Sequence, residues 1–548
     1  MRSTQARPRL TPRGRFQRLA GPGLPLVLCG IPLIVFITQV MLSPAGRADF
    51  LAAAMSPRSY RVAGFSLLQA LLSASLACVL GLPLAFMYQR AKGARARAMR
   101  ALFSLPFALP SILAATGFAG FLGISGLVND VLAGLGLPRQ AFIYGFQGIL
   151  IVHAFFNFPL VARMTADSLA RSNPALGEAA RLLGAGPIRR FITIDLSEAG
   201  PGIAAAFLLS FLYCLQSLGI VLLLGGGPAS STFEVEILEA LTSSFREGRA
   251  LYFALMEGLL AMGAALAYAR LVSMGPARSG LEMLRKAPLD SQGPVAKVAS
   301  YAYASIILIF TFGPLVSLLY QAFRHPISGS QGAAFPSVGQ FAFLVRSGFG
   351  GSFIKALFNS LSLGASAAIL STGLALLMPL LRGGKPCRID SSLAILPMAV
   401  SPIILSSSIR GLLSPLGERV SLPLYHALIA LPLTYSSVET GLSKLPPSLL
   451  EAARCLGATP RRAFADVAIP AIGPSIVSAL AFSFCVSLTD LNGVLSMARS
   501  DFPVLSLLVF RLAGAYRYGA AAAAGLVLLA LSGSAMALAW KEATWTAS

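Results

Sequence analysis

Charge is what this sequence has least of. Only 12% of its 548 residues are Asp, Glu, Lys or Arg, about half the share usual in a globular chain. So few charges cannot cover a water-soluble particle of this size, which excludes a soluble enzyme or binding domain. Acids are scarcer still, 21 against 43 Lys and Arg. The six cysteines, Cys29, Cys78, Cys214, Cys387, Cys455 and Cys485, form no C-x-x-C pair. Neither a disulfide framework nor a zinc site is implied, and no metal centre is expected. No G-x4-G-K-[S/T] string exists; Gly383-Gly384-Lys385-Pro386 comes nearest and lacks the first glycine and the hydroxyl. Without a phosphate-cradling loop the chain cannot hydrolyse ATP by itself. It is expected to hold no catalytic residues and no cofactor.

What the chain has instead is apolar length. Hydrophobic residues make up 56% and mean hydropathy is +0.75. They gather in runs of about twenty, the length of helix that crosses a bilayer. The runs lie near 24–42, 63–88, 101–124, 143–163, 199–224, 250–269, 299–320, 353–381, 391–409, 420–440, 472–489 and 517–540. The expected fold is all-α, a polytopic membrane protein of twelve transmembrane helices. The basic tail 1–23 precedes a run that reaches Ser43-Pro44 without a small-residue cleavage site, so it reads as an uncleaved first helix. Pro106, Pro110, Pro397 and Pro402 fall inside two runs and suit kinked helices whose neighbours satisfy the freed backbone groups.

The net charge of +22 belongs to the membrane rather than to nucleic acid. With the N-terminus inside, cytoplasmic segments hold 29 of the 43 Lys and Arg residues and outer segments 14. That bias sets orientation. Loop 89–100 is its clearest marker, with Arg90, Lys92, Arg95, Arg97 and Arg100 and no acid. Twelve spans place both termini in the cytoplasm.

The chain also repeats itself. Residues 178–191 read EAARLLGAGPIRRF and 451–464 read EAARCLGATPRRAF, ten of fourteen identical at an offset of 273. The same offset carries His153 to His426, Pro159 to Pro432 and Gly200-Pro201 to Gly473-Pro474. Two six-span units follow, 1–275 and 299–548, joined by a cytoplasmic linker, 276–298. Their motif loops span 164–198 and 441–471. A parallel duplication forms its route between the halves, which points to transport.

The repeated string resembles the EAA signature of ABC-importer membrane subunits, E-A-A-x3-G-x9-I-x-L-P. The first copy supplies Glu178, Ala179, Ala180, Gly184, Ile194 and Leu196, with Ser197 in place of the proline. The second supplies Glu451, Ala452, Ala453, Gly457, Val467, Ile469 and Pro470. The resemblance covers essentially the whole chain and implies a fused two-permease subunit in a bacterial inner membrane. It implies that both loops hold coupling helices that dock ATP-binding subunits, one copy to each loop, with ATP and Mg bound there. It also implies a periplasmic or lipid-anchored substrate-binding protein. Glu-Ala-Ala-Arg favours helix, alanine allows close approach, and Gly184 and Gly457 permit the turn, which a side chain is expected to block. The rival reading is a pair of amphipathic helices lying on lipid.

Three further stretches, 144–163, 222–241 and 490–517, look like those of fused thiamine-importer permeases. The expected substrate is therefore thiamine or its phosphate esters. Iron(III)-importer permeases share the architecture and are the alternative. An ion-coupled secondary transporter is the rival from another class, and the near absence of mid-span acids argues against it. Thiamine is a cationic aromatic, so its path would want modest negative potential and aromatic surface. Intramembrane acids are expensive and default to function. Glu257 and Asp490 are thus candidates for the pathway, and Glu234, Glu236 and Glu239 in outer loop 225–249 for binding-protein docking. His153 and His426 read as packed hydrogen-bonding partners rather than ligands.

Overall fold

The computed structural model describes residues 12–91, 102–103, 109–170, 174–274, 294–324, 336–347, 352–382, 396–497 and 502–545, and single residues at 99, 106 and 394. Most of the basic loop 89–100, most of the linker, and Cys387 lie outside the described residues. Within them every regular element is helical. The main helices of the first sequence half are α1 (Pro12–Leu42), α2 (Pro44–Met55), α3 (Pro57–Arg90), α4 (Ser111–Leu122), α5 (Phe146–Ala170), α6 (Pro174–Leu182), α7 (Leu196–Leu215), α8 (Phe233–Thr242) and α9 (Glu247–Met274). Those of the second are α10 (Pro294–Phe323), α11 (Gly339–Arg346), α12 (Phe353–Leu381), α13 (Pro402–Leu412), α14 (Glu418–Lys444), α15 (Pro447–Cys455), α16 (Gly473–Thr489), α17 (Leu505–Gly514) and α18 (Tyr518–Trp545).

Among the described residues, nine helices are long and apolar enough to cross a membrane, and a bent pair, Pro460–Ala471 with Gly473–Thr489, makes a tenth. The span expected at 101–124 begins only at Ser111, with Pro110 as its N-cap rather than inside it, and extends to Gly134; two others of the twelve expected spans differ more. Run 391–409, part of which lies outside the described residues, gives a 3-10 turn at Leu396–Ala399 and then the 11-residue α13. At 1.5 Å per residue that helix covers about half a bilayer core. Ser401 caps α13 through the Ile404 N–H, and Pro402 opens it, so the prolines break this segment rather than kink it. Run 420–440 does form one helix, the 27-residue α14. Its His426, Thr434, Tyr435, Ser436 and Ser437 dilute the apolar character.

The chain forms two compact units, and neither is a contiguous half. One comprises 43–357 and 503–530; the other comprises 1–42, 358–502 and 531–548. Each unit takes the first span of the other sequence half: α10 packs on α4 in the first unit, and α1 packs on α13 and α14 in the second.

The first unit is built around α3, α5 and α7. A Cβ on Gly81 would stand 2.7 Å from the Phe158 carbonyl oxygen, so glycine lets α3 and α5 meet backbone to backbone. Small residues serve this purpose in membrane bundles, where apolar burial alone drives nothing. Leu84, Phe158 and Ile307 are fully buried beside this contact. Polar bonds tie the helices further: Gln69 donates to the Cys214 carbonyl at 2.9 Å and Asn157 to the Cys214 Sγ at 3.4 Å. Pro159 and Pro201 sit inside α5 and α7 without ending them.

The second unit packs α14 against α16 and α12. Met378, Leu431, Tyr435, Val438 and Ile472 form its core. Ser371 and Thr434 share a 2.9 Å hydrogen bond, and Ser483 donates to the Ala367 carbonyl at 3.3 Å. Gly493 faces the Tyr425 ring so closely that a Cβ would lie 2.0 Å from it.

Candidate functional site

The two motif loops fold alike. In each a proline opens a nine-residue helix, α6 or α15, where its fixed φ is already helical. Each helix ends at a left-handed glycine, Gly184 at φ +77° and Gly457 at φ +89°. The Ala185 N–H then reaches the Ala180 carbonyl at 2.9 Å, and the Ala458 N–H reaches that of Ala453 at 3.0 Å. Leu183 and Leu456 N–H groups bond the carbonyls of Ala179 and Ala452, both at 3.0 Å. This glycine-centred closure satisfies the last helical carbonyls. A short helix follows, Pro187–Arg190 or Pro460–Arg462, then a π-helical turn, Phe191–Asp195 or Ala463–Ala468. Open space surrounds the position of a Cβ on either glycine. The expected steric block is therefore absent, and it is the left-handed backbone that requires glycine.

The loops present apolar side chains. Leu183 is 87% and Leu456 90% exposed, and they are repeat equivalents. Leu176 and Leu449, also equivalent, are exposed, as are Leu182 and Cys455. Glu451 and Ala452 are exposed and Ala453 half-buried, as Ala179 is exposed and Ala180 half-buried. The side chain of Glu178 lies outside the described residues. The leucines are the functional candidates that sequence reasoning passed over. Their signal was present in the repeat, where Leu183 and Leu456 are identical, but exposure cannot be read from identity.

The copies differ where the motif differs. After Pro470 the second loop bends by 77° into α16, whereas the first, with Ser197, continues as one span, Phe191–Leu215.

The outer acids lie elsewhere than expected. Glu234 and Glu236 on α8 are fully buried, so they form no exposed docking face; Glu239 is 42% exposed. Glu236 accepts from Ser231 at 2.8 Å and Arg58 at 2.9 Å, and pairs closely with Arg249. Glu239 lies 3.6 and 3.8 Å from the same two arginines. Burial alone would push the Glu236 carboxyl up, but Ser231, Arg249 and Arg58 together hold it below the ordinary carboxylate value. Glu257 on α9 is fully buried beside Glu234. Asp490 belongs to the other unit. It closes α16, accepts the Gly493 N–H at 3.0 Å, and pairs with His426 Nε2 at 3.2 Å. His426 Nδ1 pairs with Ser487 at 2.8 Å and His153 Nδ1 with Ser73 at 3.2 Å. Both histidines are thus packed hydrogen-bonding groups. In repeat register Cys214 and Ser217 stand where Ser487 and Asp490 stand, so only the second copy gives its histidine an acid.

Residues 371–539, about a third of the chain, match the family model for the inner membrane component of binding-protein-dependent transport systems. The chain is all-α with multiple apolar helices long enough to cross a membrane, and its duplicated loops and this match resemble those of a fused permease of the ABC-importer type. More particularly, the chain is similar to thiamine transport system permease proteins. It is 28% identical to that of Brucella suis biovar 1 over 530 residues, 93% of this chain and 94% of the relative. It is 24% identical to that of Escherichia coli K12 over 534 residues, 94% of both chains. With that of Brucella abortus strain 2308 it shares 34% identity over 240 residues, where the alignment spans 44% of the relative's length. A solved bacterial ABC transporter for alginate import is 20% identical, covering 46% of this chain and 90% of that one at a TM-score of 0.39.

Proposed function

We propose that the chain is the membrane-spanning subunit of an ATP-driven importer for thiamine or its phosphate esters. The observation that carries the importer reading is the pair of equivalent loops, each with a left-handed glycine and an almost fully exposed leucine. Leu176, Leu182 and Leu183 are exposed together on the first loop, and Leu449 and Leu456 on the second, which fits a surface that is covered in the working assembly. Two loops fit two copies of an ATP-binding subunit, with ATP and Mg on those copies. A periplasmic or lipid-anchored binding protein delivers the solute at the other face. An orientation with both termini in the cytoplasm accords with the positive-inside bias and puts both loops on the ATP side. The substrate reading follows the relatives above, named as thiamine transport permeases.

The loops are joined to the spans in a way that can carry motion. From α6 the chain runs through its π turn directly into α7, which packs on α3, α5 and α9; from α15 it runs through the second π turn into α16, which packs on α14. π turns inside helices frequently mark functional sites. When the ATP-binding subunits close, they displace α6 and α15, and α7 and α16 follow. The test is uptake of labelled thiamine into vesicles that hold the binding protein and the ATP-binding subunit. Uptake that stops without ATP or with a hydrolysis-dead subunit supports the proposal. Uptake that continues without any ATP-binding subunit assigns the chain to ion-coupled transport.

A further inference from the structure

In the first unit, a cavity of about 770 Å³ opens at the end of the bundle away from the first motif loop. Tyr144, on its wall, just precedes α5, while the motif loop follows the other end of that 25-residue helix. In the proposed topology this is the outer side. The volume suits a small organic molecule.

The lining is aromatic and cationic. Tyr144, Tyr320, Phe343, Tyr516 and Tyr518 contribute rings, and the Tyr516 and Tyr518 rings meet edge to face at 6.1 Å. Arg517 lies over the Phe343 ring at 5.0 Å. Arg324 is exposed on the wall, and its guanidinium has no partner among the described residues. The acid on the wall, Asp130, is paired with Arg139 at 2.9 Å. The wall therefore holds two arginines against one acid, which is already paired. This reverses the negative path expected for a cationic aromatic.

The backbone marks the same place. Tyr516 sits at φ +57° where α17 ends, and the Arg517 N–H reaches back to the Leu512 carbonyl at 2.9 Å. Glycine is the usual residue at this position. A tyrosine held there is strained, and such strain collects at functional sites. It places Tyr516 and Arg517 side by side at the mouth of the cavity.

We infer that this cavity binds an aromatic ligand bearing a phosphoryl group, with the guanidiniums on the phosphate and the tyrosines against the ring. Resting on the thiamine reading, the inference selects the phosphate esters over the free cation at this site. The phosphoryl group could come from a soluble ester or from a lipid headgroup, and the experiment separates them.

The chain is placed in phosphatidylcholine nanodiscs and titrated calorimetrically with thiamine diphosphate, phenyl phosphate and free thiamine. Both phosphates are expected to bind and to compete, at least tenfold more tightly than free thiamine. Arg324→Gln, at an exposed and unpartnered side chain, is expected to weaken both at least tenfold and to leave free thiamine unchanged. Thermal unfolding of this variant should match the parent. Phenyl phosphate binding that depends on Arg324, with no binding of thiamine diphosphate, would support the site and reject the thiamine reading. No binding of either phosphate, or binding indifferent to Arg324→Gln, would overturn the inference. Displacement of the bound ester by phosphatidylglycerol added to the nanodiscs would give the cavity to lipid and overturn it as well.

Discussion

Gly184 and Gly457 stand 273 residues apart and share one backbone conformation, φ +77° and +89°, each at the end of a nine-residue helix. A duplicated left-handed turn marks one piece of machinery used twice.

The first prediction separates strain from bulk. A Cβ at either glycine meets open space, yet an L-residue in this conformation costs about 1–2 kcal/mol. Asn tolerates the left-handed region better than other side chains. Gly184→Val and Gly457→Val should insert normally but lose about tenfold or more in uptake. Gly184→Asn and Gly457→Asn should stay near the parent. Vesicle uptake beside membrane abundance decides it. Equal losses for Val and Asn would mean that bulk, not backbone, sets the requirement.

The second concerns the leucines. At 87% and 90% exposure, Leu183 and Leu456 contribute little to the fold of the isolated chain. Burying one leucine against a partner is worth about 1.5–3 kcal/mol. Leu183→Asp and Leu456→Asp should each weaken association with the ATP-binding subunit by about 10–100-fold. Melting of the purified chain should not change. Association measured by co-purification at graded dilution reads the effect, and undiminished association in the double variant would reject the docking assignment.

Much of this was legible in the sequence, and the reason is periodic composition. Apolar runs revealed ten of the spans because hydropathy averages over twenty residues. Run 420–440 found α14 as well, although its buried face carries His426, Thr434 and Tyr435, which lower its hydropathy. The repeat register exposed both loops, since gap-free identity needs no structure. Burial did not show itself: Glu234 and Glu236 read as loop acids, and only the fold puts Arg58, 178 residues away, against Glu236. The exchange of α1 and α10 between units was equally invisible, because no local pattern says which neighbour a span will choose.

A third prediction uses that buried acid. The Glu236 carboxyl is held below its ordinary value near 4.5 despite its burial. Its contribution to stability is complete above that ordinary value and is lost as pH falls through the lowered folded one. The parent's thermal midpoint should therefore fall as pH drops below about 4.5. Glu236→Gln leaves the half-buried Arg249 only its longer 3.8 Å contact with Glu239 and should cost about 2 kcal/mol at pH 7. It should also flatten the acid limb of the profile. Melting curves of parent and variant from pH 3 to 7 test this, and parallel profiles would remove Glu236 from the account.

The fourth concerns orientation. Ser244 and Cys455 are both exposed. With Cys387 and Cys455 replaced by Ser, Ser244→Cys should react with a membrane-impermeant maleimide in intact cells. Cys455 in its own Cys387→Ser background should react only after permeabilisation. The opposite pattern would invert the topology.

Cys455 also gives the most direct test of the docking claim, because it lies on α15 between the exposed Arg454 and Leu456. In inside-out vesicles carrying Cys387→Ser, the maleimide reaction at Cys455 is timed with and without saturating ATP-binding subunit. Docking on α15 predicts that bound subunit slows the reaction at least tenfold and that Leu456→Asp restores the free rate. An unchanged rate at Cys455, with the subunit shown to be bound to the vesicles, would contradict the assignment of this loop as the docking site.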